Sequence, residues 1–202
     1  MKNMETKVMT TKTPPPQIVE IIIQPTPNPN ALKFILDKDV KTDGKVSFKT
    51  PQDCKDVPLA AALFDLRGVD QIHFFQNVIT ISKFSFEEWE SLEPAVQTCI
   101  ENFIEDHDPN FKAFDPEVDR RAHLGPELRR IEEILDHRIR PGLQGDGGDL
   151  MVKDFKDNVL IVKYQGACGT CPSSTTGTLE AIRSILREEF HPEVEVYLAP
   201  EI

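Results

Sequence analysis

Apolar positions along the chain fall into short alternating runs interrupted by stripes of helical spacing, the pattern of mixed α and β structure. Val19, Ile21 and Ile23 alternate as a half-buried strand does, and a second strand-like run, Ala31–Leu36, follows across the turn-forming residues 25–30 (PTPNPN). After a turn-rich stretch, residues 59–66 (LAAALFDL) predict a helix that stops near Gly68. Residues 72–75 and 78–82 read as paired strands turning at Gln76 and Asn77. The longest helix is expected over 85–105, with Ser85 as N-cap and Trp89, Leu92, Val96, Cys99, Ile100 and Phe103 on one spacing. Residues 18–105 thus predict one small α+β unit.

Residues 106–124 are polar, contain Pro109 and Pro116 and keep no period, as a linker would. A second unit, residues 125–202, opens on a helix with Pro126 in its first turn and a stripe of Leu128, Ile131, Leu135 and Ile139, halted by Pro141 and Gly142. Strands at 150–155 and 159–164 flank a turn at 156–158; a helix at 173–189 and a strand at 194–198 complete it. The fold class expected is therefore α+β, two small domains, the second in the order α-β-β-α-β. Residues 1–17, polar and ending in three prolines, read as a flexible tail.

Composition narrows the functions. With 39% hydrophobic and 28% charged residues the chain can bury a core. A formal net charge of −11 opposes nucleic-acid phosphates. Residues 125–202 hold 9 Lys and Arg against 14 Asp and Glu, so neither unit hides a dominant basic patch. No window has the roughly 18–20 apolar residues of a membrane span, so neither nucleic acid nor membrane is an expected partner. The first residues lack an apolar signal core and contain no Arg, which predicts a cytoplasmic protein. No nucleophile, base and orienting group cluster in sequence, and no enzyme is predicted.

Four cysteines are too few for a disulfide scaffold. Cys168 and Cys171 form a CxxC pair in residues 166–172 (GACGTCP), the spacing at which one loop aims two thiolates at one centre. Seven of the ten glycines lie between Gly142 and Gly177, where the backbone is shaped closely around that loop. Pro172, Ser173 and Ser174 begin the next helix, whose N-terminal partial charge favours thiolate. Zinc, copper(I) and iron-sulfur clusters all suit such ligands, and a redox dithiol is a further alternative. Two sulfurs do not complete a tetrahedral or four-iron site, and a two-fold pairing of chains would supply two more. Cys99 reads as a small buried apolar residue, Cys54 as a loop thiol without function, and residues 145–149 as a turn supporting the cysteine loop.

Residues 144–150 (QGDGGDL) ahead of a hairpin and 165–174 (QGACGTCPSS) ahead of a helix resemble the C-terminal domain of the NifU/Nfu iron-sulfur scaffold proteins. Residues 25–34 (PTPNPNALKF), 58–64 (PLAAALF) and 68–75 (GVDQIHFF) resemble the N-terminal domain of many Nfu proteins. The segment from Gln76 departs from that pattern, which would place a glycine near the asparagine. The resemblance implies a scaffold or carrier that binds a 4Fe-4S cluster shared between two protomers, with Cys168 and Cys171 as ligands. It further implies a homodimer when loaded, apo iron-sulfur proteins as clients and upstream cluster assembly proteins as donors.

Overall fold

The structure, a computed structural model, describes residues 19–112, 121, 123–170 and 174–200. The expected tail at 1–17, the middle of the expected linker and Cys171 lie outside the described residues.

Five antiparallel strands form the first sheet: β1 (Ile21–Pro25), β2 (Ala31–Leu36), β3 (Lys41–Phe48), β4 (Val69–Gln76) and β5 (Val78–Lys83), in the spatial order β1-β2-β5-β4-β3. Helices α1 (Pro58–Phe64) and α2 (Trp89–Phe103) cover one face. Strand period 2 sends Phe34, Ile72, Phe74, Ile79 and Ile81 into a core with Leu59, Leu63, Val96 and Ile100. The same period puts Gln71, His73, Thr80 and Ser82 on the opposite face, and these too are at most 3% exposed.

Strand β3 runs through what the sequence presents as turns. Its alternation is interrupted at Gly44, which takes φ 71° where the register to β4 shifts. Helix α2 starts at Trp89 rather than Ser85, because Lys83 Nζ donates to Glu87 O (2.6 Å) and Trp89 Nε1 to Pro29 O (3.0 Å), holding residues 84–88 as a turn. Phe84 and Phe86 stack on each other at the surface of this unit. Gln76 occupies the hairpin turn at φ 51°, the left-handed conformation that the missing glycine would take more readily. Residues 107–111, counted with the linker on sequence grounds, pack on this unit. His107 bonds Val40 O (2.8 Å), Thr42 N donates to Pro109 O (3.1 Å), and the Phe111 ring sits against Phe48 and Phe74.

The second sheet has strands β6 (Gly148–Lys156), β7 (Val159–Gly166) and β8 (Glu195–Leu198). β6 and β7 form an antiparallel hairpin through Asp157 and Asn158, both at positive φ; β8 lies parallel to β7, reached through the crossover helix α5 (Ser174–Glu189). Helix α3 (Pro126–Arg138) does not simply stop at Pro141: the chain turns at Ile139 into a further short helix, α4 (Arg140–Gly145), with Pro141 in its first turn. Ile131, Leu135, Leu150, Val152, Leu160, Val162, Ile182 and Leu186 make a second core.

Candidate metal centre

Cys168 sits in a short 3-10 turn, Ala167–Thr170, between the end of β7 and the start of α5. Its position follows from the hairpin register, which pairs Gly148 with Gly166 and brings residues 146–149 under the loop. Gly166 takes φ 59°, and Ala167 N donates to Gly147 O (3.1 Å), which curls the chain back over β6. The cradle excludes side chains: a Cβ at Gly148 would lie 2.5 Å from Cys168 Sγ and 2.8 Å from Cys168 N. Glycine here is a requirement of close backbone approach. Soft thiolates of a CxxC pair suit a soft metal centre, and at Gly148 the backbone packs directly against the Cys168 sulfur.

Cys168 is 6% exposed and borders a small cleft whose walls include Leu143, Asp146, Ala167 and Thr178 from the second unit and Pro27 and Asn28 from the first. Cys171, three residues further on, lies outside the described residues. Among the described residues no group of three or more His, Cys, Asp and Glu is gathered for a metal ion. The other cysteines are elsewhere. Cys99 is in the first core, where burial and then Asp65 push its thiol up to about 11. Cys54, expected in a loop, is fully buried in the same core; burial first, then Asp53, raises its thiol, and its Sγ donates to Pro51 O at 3.4 Å. Neither approaches the CxxC loop in role or environment.

Residues 145–149 do more than turn. Asp149 is fully buried beneath the loop; its carboxylate accepts from Gln144 Nε2 (2.9 Å) and Leu150 N (2.6 Å) and pairs with Arg140 (3.3 Å) and with Lys45 of β3 (2.9 Å). Arg140, itself 4% exposed, also pairs with Glu132 (2.8 Å) and with Asp136. Burial acts to raise the Asp136 carboxyl, but hydrogen bonds and charge from Arg121 and Arg140 outweigh it and hold it low. A salt-bridged floor of this kind fixes α3, α4 and β6 under the cysteine loop. Sequence reasoning missed Arg140 and Lys45; the one signal available was a charged residue directly beside the apolar stripe of α3.

The first unit reaches the same loop. Asn28 Nδ2 donates to Ala167 O (2.9 Å) and Lys33 Nζ to Gly145 O (2.5 Å). His73 lies fully enclosed between the sheets with Nδ1 2.7 Å from Ser47 Oγ; burial pushes it down to about 4, against the opposing pull of Asp149 and with a smaller push from Lys45.

Two α+β sheets with a cysteine-bearing turn define a class that comparison with known proteins identifies. The family profile described as "Scaffold protein Nfu/NifU N terminal" matches residues 21–107, and that described as "NifU-like domain" matches residues 131–197. The chain belongs to the Nfu/NifU family of scaffold proteins, which is not a family of enzymes. It is similar to the "NFU1 iron-sulfur cluster scaffold homolog, mitochondrial" of Homo sapiens, 37% identical over 183 residues that span 90% of this chain and 72% of that relative. The relative of the same name in Drosophila sechellia is 35% identical over 175 residues, 85% of this chain and 62% of that one. A solution structure of a NifU-like protein from Saccharomyces cerevisiae matches with 18% identity and TM-score 0.43, over 56% of this chain and 97% of that one.

Both relatives are named mitochondrial, which overturns the expectation of a cytoplasmic protein. That expectation rested on first residues without an apolar signal core and without Arg, and the composition of so short a stretch is a weaker guide to compartment than relatives at 37% and 35% identity. Among the described residues no helix is long and apolar enough to cross a membrane.

Proposed function

We propose that this chain binds a 4Fe-4S cluster through the thiolates of Cys168 and Cys171, shares it with the same pair of a second copy, and passes it to apo iron-sulfur proteins. The observation that carries this reading is the cradle of Cys168, where glycine backbone presses against Sγ at the end of β7 within a NifU-like domain. The cluster is cargo. Each copy contributes two thiolates, and four complete a cluster of this type. Each thiol gives up its proton on binding, so assembly releases protons and weakens as pH falls. Upstream assembly proteins are the proposed donors, and the relatives' names make mitochondria the proposed compartment.

On this reading residues 125–202 hold the cargo and reach clients while residues 18–105 dock. Anaerobic addition of ferrous iron and sulfide to the reduced chain tests the proposal. A brown dimer with broad absorption near roughly 400 nm, lost in Cys168→Ala and in Cys171→Ala, is the expected result. A colourless zinc-loaded monomer would refute it.

A further inference from the structure

The polar face of the first sheet is buried for a reason that cluster ligation does not supply. Gln71, His73, Thr80 and Ser82 point away from the first core, and the glycine-rich backbone around Cys168 lies against the first three. A Cβ at Gly147 would stand 3.0 Å from Thr80 Oγ1 and 2.9 Å from Lys33 Cγ; one at Gly166, 3.2 Å from the His73 ring; one at Gly169, 3.7 Å from Gln71 Oε1. Side chains at Gly147 and Gly166 would press the two surfaces apart, while at Gly169 the 3.7 Å approach is ordinary contact. Around the rim, Asn28 bonds the carbonyl of Ala167, beside Cys168; Lys33 bonds Gly145 O; and Lys45 pairs with the buried Asp149.

We propose that this sheet face, with the β1–β2 turn at Pro27 and Asn28, is a docking surface for the cysteine loop of its own chain, and that this closed arrangement competes with approach of a second copy. The inference rests on the reading that the cluster is shared between copies. Cys168 is 6% exposed, packed in part by the second unit's own core, and with the first unit docked Pro27 and Asn28 close the remaining side of its cleft, where a second copy would have to approach. Sharing therefore requires the first unit to lift away.

The chemistry of the contact suits a reversible cover. It is made of amides, hydroxyls, an imidazole and backbone rather than large apolar side chains, as in contacts between units that separate and return. Gln71 Nε2 and Thr80 Oγ1 are buried with no hydrogen-bond partner among the described residues. Water would satisfy both once the face opens, which lowers the difference between the closed and open states. Both units are net acidic, and Lys33 and Lys45 are the cations placed where that repulsion must be overcome.

The test uses the full chain, reduced and free of cluster. Lys45→Glu sets a carboxylate against Asp149, and Asn28→Ala deletes the bond to Ala167. Alkylation of Cys168 by iodoacetamide, followed by peptide mass, is expected to run roughly tenfold faster in Lys45→Glu, the change that loss of a charge-assisted contact brings, and measurably faster in Asn28→Ala. Small-angle scattering should show a larger radius of gyration, with far-ultraviolet circular dichroism unchanged. Asn28→Ala keeps the test decisive if Lys45→Glu fails to fold. On titration with ferrous iron and sulfide, the variants should form coloured dimer faster than the parent chain. Parent-like alkylation in both variants would overturn the cover, and equal rates of dimer formation would overturn the competition. Faster alkylation with no coloured dimer in any chain would leave the cover standing and remove the shared-cluster reading beneath it.

Discussion

At the scale of single residues, the site depends on where glycine stands as much as on where cysteine does. Gly148→Ala would drive its Cβ to 2.8 Å from Cys168 N and from Gln165 O, both backbone atoms that cannot swing aside. Overpacking of that sort costs about 1–3 kcal/mol or more. A lowered urea midpoint together with reduced cluster yield is expected, whereas Gly142→Ala, with open space around it, should leave cluster yield unchanged. The opposite sign is expected at Asn158, which sits at φ 63° in the β6–β7 turn. Asn158→Gly should stabilise the fold by a few tenths to about 1 kcal/mol, read from chemical denaturation, since glycine adopts that turn without strain. The CxxC pair was legible because spacing is a local property. Cys54 was not: its short 3-10 turn looks like a loop in sequence, and only the packing of the first core around it makes it a buried residue.

Among the elements, long and regularly patterned ones are read well and interrupted ones poorly. Strand β2 and helix α5 fall where their spacing puts them, whereas β3 hides behind Gly44 and the acidic turn before it. The break between α3 and α4 has a side-chain cause. Turning the chain at Ile139 lets Arg140 face inward, where it binds Glu132, Asp136 and Asp149 at once. Removing one member of a buried charged group is strongly destabilising, about 3–5 kcal/mol. Arg140→Ala is therefore expected to lower the denaturation midpoint far more than Arg130→Ala, whose pair with Glu133 is exposed and worth about 0–1 kcal/mol. Similar midpoints for the two variants would contradict this account of the floor beneath the cysteine loop.

At the scale of the whole molecule, the two units meet through a histidine whose charge their contact disfavours. His73 is neutral when enclosed and is held near 4, below its ordinary 6.5, by burial and Lys45 against the opposing pull of Asp149. The unfolded or undocked chain therefore binds the extra proton between those values. Stability is full above about 6.5 and falls as pH drops toward 4, by an amount on the order of 3 kcal/mol. Melting temperatures from pH 7.5 to 4.5 should decline in the parent chain, and His73→Gln should flatten the decline; an unchanged slope would remove His73 as its source. Sequence alone determined the alternation and helical spacing, and with them the α+β class. It also placed the cysteine spacing and the glycines beside it, since all of these are set by neighbours a few residues apart. Only the tertiary structure decided that Asn28, Lys45 and His73 stand over the loop that carries Cys168. Those contacts join residues about a hundred positions apart, and nothing in a local pattern records which surface a polar strand face will meet.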